Sequence, residues 1–408
     1  MTSESKPESS PYFGAYLGAG LPRTVKALGL TSFLQDVASE MVYPLLPAFL
    51  LALGGGPAML GAMESISEGV NAALKGAAGR WSDRLGRRKP FVSVGYGLSA
   101  AARPVLAILT AGWQVVALRA ADRVAKGLRT APRDALIAEA VPAEQRAYAF
   151  SFHQGLDHLG AAVGPLLAAL ILFFVPGRVR LVFALATVPA FLGWLTVQLT
   201  THDAPRTRPA EPRAAKGGGS LPRRLRLPLV AFLLFSLGNA SDAFLLLRAA
   251  QLGVSALGLA LLWSGFHVIK WLASAPAGRL ADRQGPRQQI LFGWAIYAAS
   301  YVGFAWVTSA PAVVALFALY ALYYGLTEGA ERALVLRLAG TELGAGSSLG
   351  AFHLSTGLGA FVASLLFGLV WQTWSPAAAF SLGAVFAVLG AGLLAFASGK
   401  SSAAPEPA

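Results

Sequence analysis

The chain is 408 residues long, 55% hydrophobic and only 13% charged, against about 25% charged in soluble globular chains, so water cannot be the solvent for most of its surface. Its formal charge of +13 could suggest nucleic acid, but the Lys and Arg sit in short connectors between apolar segments, which points to membrane orientation instead of a phosphate-binding stripe. Cysteine is absent, which excludes disulfides and thiolate metal sites and leaves a polytopic membrane protein as the reading.

The N-terminus, MTSESKPESSPYFG, lacks the basic start and apolar core of a cleavable signal, and residues 1–22 read as a disordered tail. A bilayer-crossing helix needs about 20 mostly apolar residues. Segments of that kind run at 24–52, 58–82, 90–110, 113–138, 146–175 and 179–200, making a bundle over 23–200. Residues 201–226, rich in Pro, Gly and Arg, cannot bury a core and read as a linker. Six more segments follow at 227–250, 256–281, 287–308, 312–337, 344–373 and 376–398, a second bundle over 227–399 before a tail at 400–408. One set of connectors holds Arg84, Arg87, Arg88, Lys89, Arg146, the arginines of the linker, Arg279, Arg283 and Arg287; the opposite set holds only Arg178 and Arg180. By the positive-inside rule the linker and both termini are expected on the cytoplasmic side.

Ionisable residues at membrane depth cost about 2.5–3.5 kcal/mol each and are functional candidates by default. Asp36 and Glu40 stand one turn apart on the first segment, beside Ser39 and Tyr43, and would compete for one proton or pair with an arginine. Glu64, Glu68, Asn71 and Lys75 form one stripe on the second. The fourth, LRAADRVAKGLRTAPRDALIAEA, carries Arg119, Arg123 and Lys126 near one face, with Asp122 spaced to meet Lys126, and with Arg129 and Arg133 expected to snorkel toward the membrane surface. On the fifth, His153 and Asp157 are one turn apart, a pair able to carry a proton near neutral pH. Asn239 and Asp242 on the seventh, His267 and Lys270 on the eighth, and Glu328, Glu331 and Arg332 on the tenth complete the set.

The halves overlay at an offset near 200. GRWSDRLGRR at 79–88 matches GRLADRQGPR at 278–287, ASE at 38–40 matches ASD at 240–242, and FHQGLDHLGA at 152–161 matches FHLSTGLGAF at 352–361. Two parallel-repeat halves place a solute site near mid-bilayer at their interface. The loop motif G-x-x-x-D-R-x-G-R-R, carried by Gly79, Asp83, Arg84, Gly86, Arg87 and Arg88 and echoed by Asp282 and Arg283, resembles the signature of the major facilitator superfamily of secondary transporters.

That resemblance implies an all-α membrane protein of two six-helix bundles related by a pseudo-two-fold axis, the major facilitator fold, with cytoplasmic termini. It further implies that the loop motif is a cytoplasmic latch between the halves, with Asp83 facing a helix N-terminus of the other half. Arg123-x-x-Lys126-Gly127 is similar to the family's R-x-x-Q-G motif, with Lys in place of Gln. Gly160-x-x-x-Gly164-Pro165-x-x-Ala168-Ala169 resembles its antiporter motif, with two alanines in place of glycines; ordinary close packing of small residues accounts for it equally well.

The expected function is a proton-coupled secondary transporter of a small polar or anionic organic solute, exporting more than importing, with a multidrug/proton antiporter as the competing reading. Proton-coupling candidates are Asp36, Glu40, Asp157, His153 and Glu68. Cavity candidates are Arg119, Arg123, Lys126, Asn71, Asp242, His267, Lys270, Glu328 and Glu331. No G-x-x-x-x-G-K-[ST] signature and no close Cys/His cluster occurs, so neither ATP nor a metal is expected, no cofactor is called for, and the proton gradient is the energy source. A channel and a membrane-embedded enzyme rank lower, and no catalytic signature speaks for an enzyme. The expected partners are the lipid bilayer, protons and the solute, without nucleic acid. The expected form is a monomer in a bacterial-type inner (cytoplasmic) membrane.

Overall fold

The computed structural model describes residues 20–142, 146–201, 221–340 and 345–397, and the regular structure among them is helical. Helix α1 (Arg23–Val42) passes through a 3₁₀ turn at Tyr43–Leu45 into α2 (Leu46–Ala52), and together they make the first span. Pro44 and Pro47 set the interruption, because neither has the N–H that would continue the helical ladder. The second to fifth spans are α3 (Pro57–Leu85), α4 (Lys89–Ile108), α5 (Gly112–Glu139) and α6 (Arg146–Phe174), and α7 (Val179–Leu185) with α8 (Thr187–Thr200) is the sixth.

The second half repeats the plan. Helices α9 (Arg223–Gly238) and α10 (Ala243–Gln251) form the seventh span around a non-helical stretch at residues 239–242. Helices α11 (Ala256–Gln284), α12 (Pro286–Trp306), α13 (Ala310–Ala339), α14 (Ala345–Thr373) and α15 (Pro376–Phe396) supply the eighth to twelfth. The twelve expected segments are all present, but the first, sixth and seventh are interrupted where unbroken helices were expected. The breaks in the first and seventh spans fall just past Glu40 and at Asp242, the two carboxylates that the repeat aligns.

Among the described residues, eight spans contain a stretch long and apolar enough to cross a membrane by length and composition. The first, second, fourth and ninth fall short of that measure. The first, second and fourth carry the carboxylates and cations of the sequence pattern, so their polar faces must meet each other and not lipid.

Packing follows the same repeat. Helix α1 lies on α6 and α8, α3 on α5, and α4 on α5 and α8; six spans on, α9 lies on α14 and α15, α11 on α13, and α12 on α13 and α15. The halves join through α3 against α14 and, symmetrically, α6 against α11. Glycine permits the closest approaches. A Cβ on Gly160 would stand 2.6 Å from the Phe33 carbonyl, and one on Gly164 2.5 Å from the Val37 carbonyl, so α6 rides directly on the α1 backbone. Gly86 (φ +66°) and Gly285 (φ +87°), equivalent positions of the repeated loop motif, end α3 and α11 in the left-handed region that favours glycine.

The two cores differ in kind. That of the second half is aromatic, with Phe235 stacked on Trp294 at 4.2 Å and Tyr297 on Tyr301 at 4.1 Å. The first half instead buries Glu64, Arg103, Asp122 and Arg129.

Candidate functional site

A cavity of about 310 Å³ lies between the halves. The first half lines it with Asp36, Ser39, Glu40 and Tyr43 from the first span, Glu64 and Glu68 from α3, and Arg119, Arg123 and Lys126 from α5. The second half contributes Asn239, Ala240, Ser241 and Asp242 from the break in the seventh span, with Tyr324, Ala360 and Ser364. Helical spacing explains the first set: Asp36 and Glu40, Glu64 and Glu68, and Arg119, Arg123 and Lys126 recur at three or four residues and so share a face. Unwinding explains the second, since residues 239–242 turn their polar groups inward where a continuous helix would spread them around its axis. Five carboxylates and three cations line the space.

One end is closed by contacts across the halves. The Ala58 N–H donates to Gln372 Oε1 at 3.0 Å and Ser65 Oγ to the Phe361 carbonyl at 2.7 Å, joining α3 to α14. Beside them Gly61 and Gly368 face each other so closely that a side chain on either would meet the partner helix's backbone. Deeper in, Trp263 Nε1 donates to Glu40 Oε2 at 2.7 Å, Ser241 Oγ to Glu64 Oε2 at 2.9 Å, and Ser264 Oγ to the Ala162 carbonyl at 3.0 Å. On three of the helices that face the cavity, a side chain nearer the linker end is the more exposed: Glu64 is buried and Glu68 exposed, Arg119 is half-buried and Lys126 exposed, and Gly160 is buried while His158 is exposed. The cavity therefore opens at the end that carries the linker.

Behind the α5 face, Asp122 collects arginines. Arg103 approaches it at 3.5 Å, Arg123 at 3.6 Å and Arg119 at 3.9 Å, while Ser99 Oγ donates to it at 2.9 Å. This overturns the expected Asp122–Lys126 pairing: tertiary contact with Arg103 of α4 outweighs the i,i+4 neighbour. Arg129 does not snorkel either. It is buried within its half, donates to Ser99 Oγ at 2.5 Å and the Gly95 carbonyl at 3.3 Å, and stacks 4.5 Å over the Tyr96 ring. Sequence reading missed Arg103 because a lone arginine on an otherwise apolar segment offers no periodic signal.

In the second half Asp242 accepts from Tyr320 at 2.6 Å and from Tyr324 at 3.3 Å. Of the other candidates, Lys270 pairs with Glu328 at 3.1 Å and Glu328 with the exposed Arg332 at 3.2 Å, outside the cavity lining. Glu331 accepts from Trp294 Nε1 at 3.2 Å in the second half's core, not in the cavity. His267 is half-buried against Trp263 and Phe266, and Asn71 is half-buried; neither lines the cavity. His153 Nδ1 stands 3.5 Å from Asp157 Oδ2, as the spacing suggested, but beside the cavity and not in its wall.

Of the latch motif, Gly86 forms the turn, Arg84 and Arg87 are exposed, and Arg88 binds Glu139 of its own half with two hydrogen bonds of 2.8 and 3.0 Å. Gly79 and Asp83 lie in α3 and Asp282 and Arg283 in α11, their side-chain surroundings outside the description; most of the linker and of both tails lies outside the described residues. Among the described residues no group of three or more His, Asp or Glu side chains is arranged to hold a metal ion.

Comparison with known proteins agrees with this architecture. Residues 28–352 match the family described as the Major Facilitator Superfamily. An uncharacterized MFS-type transporter of Methanocaldococcus jannaschii is 30% identical over 385 residues, covering 92% of this chain and 95% of the relative. An uncharacterized protein of Mycobacterium tuberculosis is 26% identical over 353 residues, 84% of each chain. Among solved structures, a bacterial homolog of the human lysosomal transporter Spinster, inward-facing and occupied, superposes with a TM-score of 0.74 at 16% identity, over 98% of this chain and 100% of the other. A POT family transporter in complex with 5-aminolevulinic acid gives 0.74 at 13% identity, over 93% and 96%.

Proposed function

Because the chain belongs to the Major Facilitator Superfamily, we propose that it is a proton-coupled secondary transporter that moves a small polar organic solute by alternating access. The observation that carries this reading is the cavity itself: it lies between the two halves, is lined from both, is closed at one end by contacts across them, and is open at the other. Rocking the halves about such a site exchanges the open end without exposing a continuous pore.

The cavity carboxylates support the proton-coupled part of this reading. Asp36, Glu40 and Glu68 line the route from the open end, and Glu40 accepts a hydrogen bond from Trp263 of the opposite half. A proton on Glu40 would remove its charge and weaken that acceptor, so proton occupancy and closure would depend on each other. His153 with Asp157 is a second proton-holding candidate near the open end. A membrane potential supplies about 2.3 kcal/mol per charge per 100 mV. The Lys and Arg distribution supports a cytoplasmic linker and termini in an inner membrane, which makes this the inward-open form. The α6 glycine seam, through its likeness to the antiporter motif, supports export.

The test is flux in proteoliposomes under an imposed pH gradient. Asp36→Asn, Glu40→Gln and Asp157→Asn, measured singly, should include at least one variant that loses gradient-driven uptake yet keeps solute exchange. Three variants behaving like the wild type would place coupling elsewhere. A multidrug/proton antiporter is the second reading, supported by an aromatic cluster beside the cavity: Tyr43 and Tyr324 line it, Trp263 packs 5.1 Å from Tyr43, and Phe266 stacks on Trp263 at 4.8 Å. It calls for transport of dissimilar lipophilic compounds in the same vesicles.

A further inference from the structure

We infer that the closed end of the cavity is a binding site for a monovalent cation, either an alkylammonium head or a sodium ion, held between Glu64 of the first half and Asp242 of the second. This rests on the transporter reading above and gives the solute site a charge preference.

Glu64 is only 5% exposed, and its two oxygens differ in state. Oε2 accepts from Ser241 Oγ at 2.9 Å, whereas Oε1 is buried without a hydrogen-bond donor. Arg119 Nε stands 3.9 Å from Oε1, too far for a hydrogen bond, and its guanidinium lies as far from Asp122. Asp242 has no ion pair among the described residues; its partners are the hydroxyls of Tyr320 and Tyr324. Ser241, its chain neighbour, is hydrogen-bonded to both Glu64 and Tyr43, so Glu64 is tied to the residue next to Asp242, and both carboxylates line the same cavity.

The charge balance points the same way. Five carboxylates line the cavity against three cations, and all three cations are on α5, where Arg119 and Arg123 share Asp122 with Arg103. Glu64 and Asp242 thus form a pair of carboxylates at membrane depth without full compensation, a costly arrangement unless a cation completes it. The surroundings suit one. Hydroxyl and carboxylate oxygens suit a hard ion, and ring faces suit an ammonium. Two such rings already face protein cations, with Arg119 5.5 Å over Tyr43 and Lys270 4.7 Å over Tyr324. Because each half supplies one carboxylate, the site is whole only while the halves meet here, and a bound cation would hold that closure.

The test is melting of the purified full chain in detergent with three probes of one shape: phenethylamine, 2-phenylethanol and 3-phenylpropionate, in potassium chloride, with a parallel arm in sodium chloride. A cation site predicts an upward shift of about 2 °C or more with phenethylamine or with sodium, and none with the alcohol or the acid. The arm that responds tells a solute's ammonium from an inorganic ion. Glu64→Gln and Asp242→Asn should each abolish the shift, and the milder Ser241→Ala should reduce it, all three first shown monodisperse with a cooperative transition. Equal shifts from all three probes, no shift from either cation, or a full shift retained in the two carboxylate variants would overturn the proposal. Since the readout is binding, any of these results leaves proton-driven flux in vesicles intact, whereas absent flux with a specific cation shift would remove the transport reading alone.

Discussion

At the scale of single residues, the first half stores its charge around Asp122. Three arginines at 3.5–3.9 Å share one carboxylate, at distances longer than the 2.7–2.9 Å of a charge-assisted hydrogen bond, so the cluster works as a buried charge balance and not as a set of tight pairs. Removing the carboxylate leaves Arg103, Arg119 and Arg123 repelling one another away from water. Asp122→Asn should therefore lower the stability of the purified protein by about 3–5 kcal/mol, read as a large drop in melting temperature. Adding Arg103→Gln should restore part of it, because the double variant removes one of the stranded charges. A wild-type melting curve for Asp122→Asn would show that the arginines draw their balance from Glu64 and solvent instead.

At the scale of helices, the α1–α6 seam sets where the carboxylates stand. The Cβ positions of Gly160 and Gly164 would fall 3.0 Å from the Cβ atoms of Asp36 and Glu40 respectively, so the spacing of these backbones fixes the acids' depth and direction. Gly164→Ala must push α6 off α1, since the added methyl would stand 2.5 Å from the Val37 carbonyl. The expected cost is about 1–3 kcal/mol of stability, with a fall in solute flux in vesicles larger than the fall in expression. Gly357, a glycine of the second half's counterpart helix with open space around it, serves as the control: Gly357→Ala should melt like the wild type.

At the scale of the whole molecule, the proposed alternating access requires that the closed end open. Contacts there join α3 to α14 through Ala58 and Gln372, and the chain's freedom from cysteine gives a clean background for cross-linking. A reductant-cleavable bifunctional thiol reagent applied to the pair Ala58→Cys and Gln372→Cys should stop solute flux in vesicles, and reductant should restore it. Each single cysteine variant treated alike should keep its flux. Transport that persists through the cross-link would mean that the halves need not part at this end.

Much of this was legible in the sequence. The number of spans, their approximate bounds, the two-fold repeat and the family follow from apolar length and repeated motifs, because a bilayer demands continuous apolar helices and a duplicated fold keeps its glycines and carboxylates in register. Helical spacing also placed Asp36 with Glu40 and Arg119 with Arg123 on shared faces. Only the tertiary structure decided which charges meet. Asp122 turns to Arg103 on another helix and away from its i,i+4 neighbour Lys126; Glu328 and Glu331 leave the cavity for Lys270 and Trp294; and Glu64 meets Ser241 across 177 residues of chain. The physical reason is that in a medium without water a buried charge takes whatever partner packing brings within reach, and packing between distant helices leaves no period in the sequence.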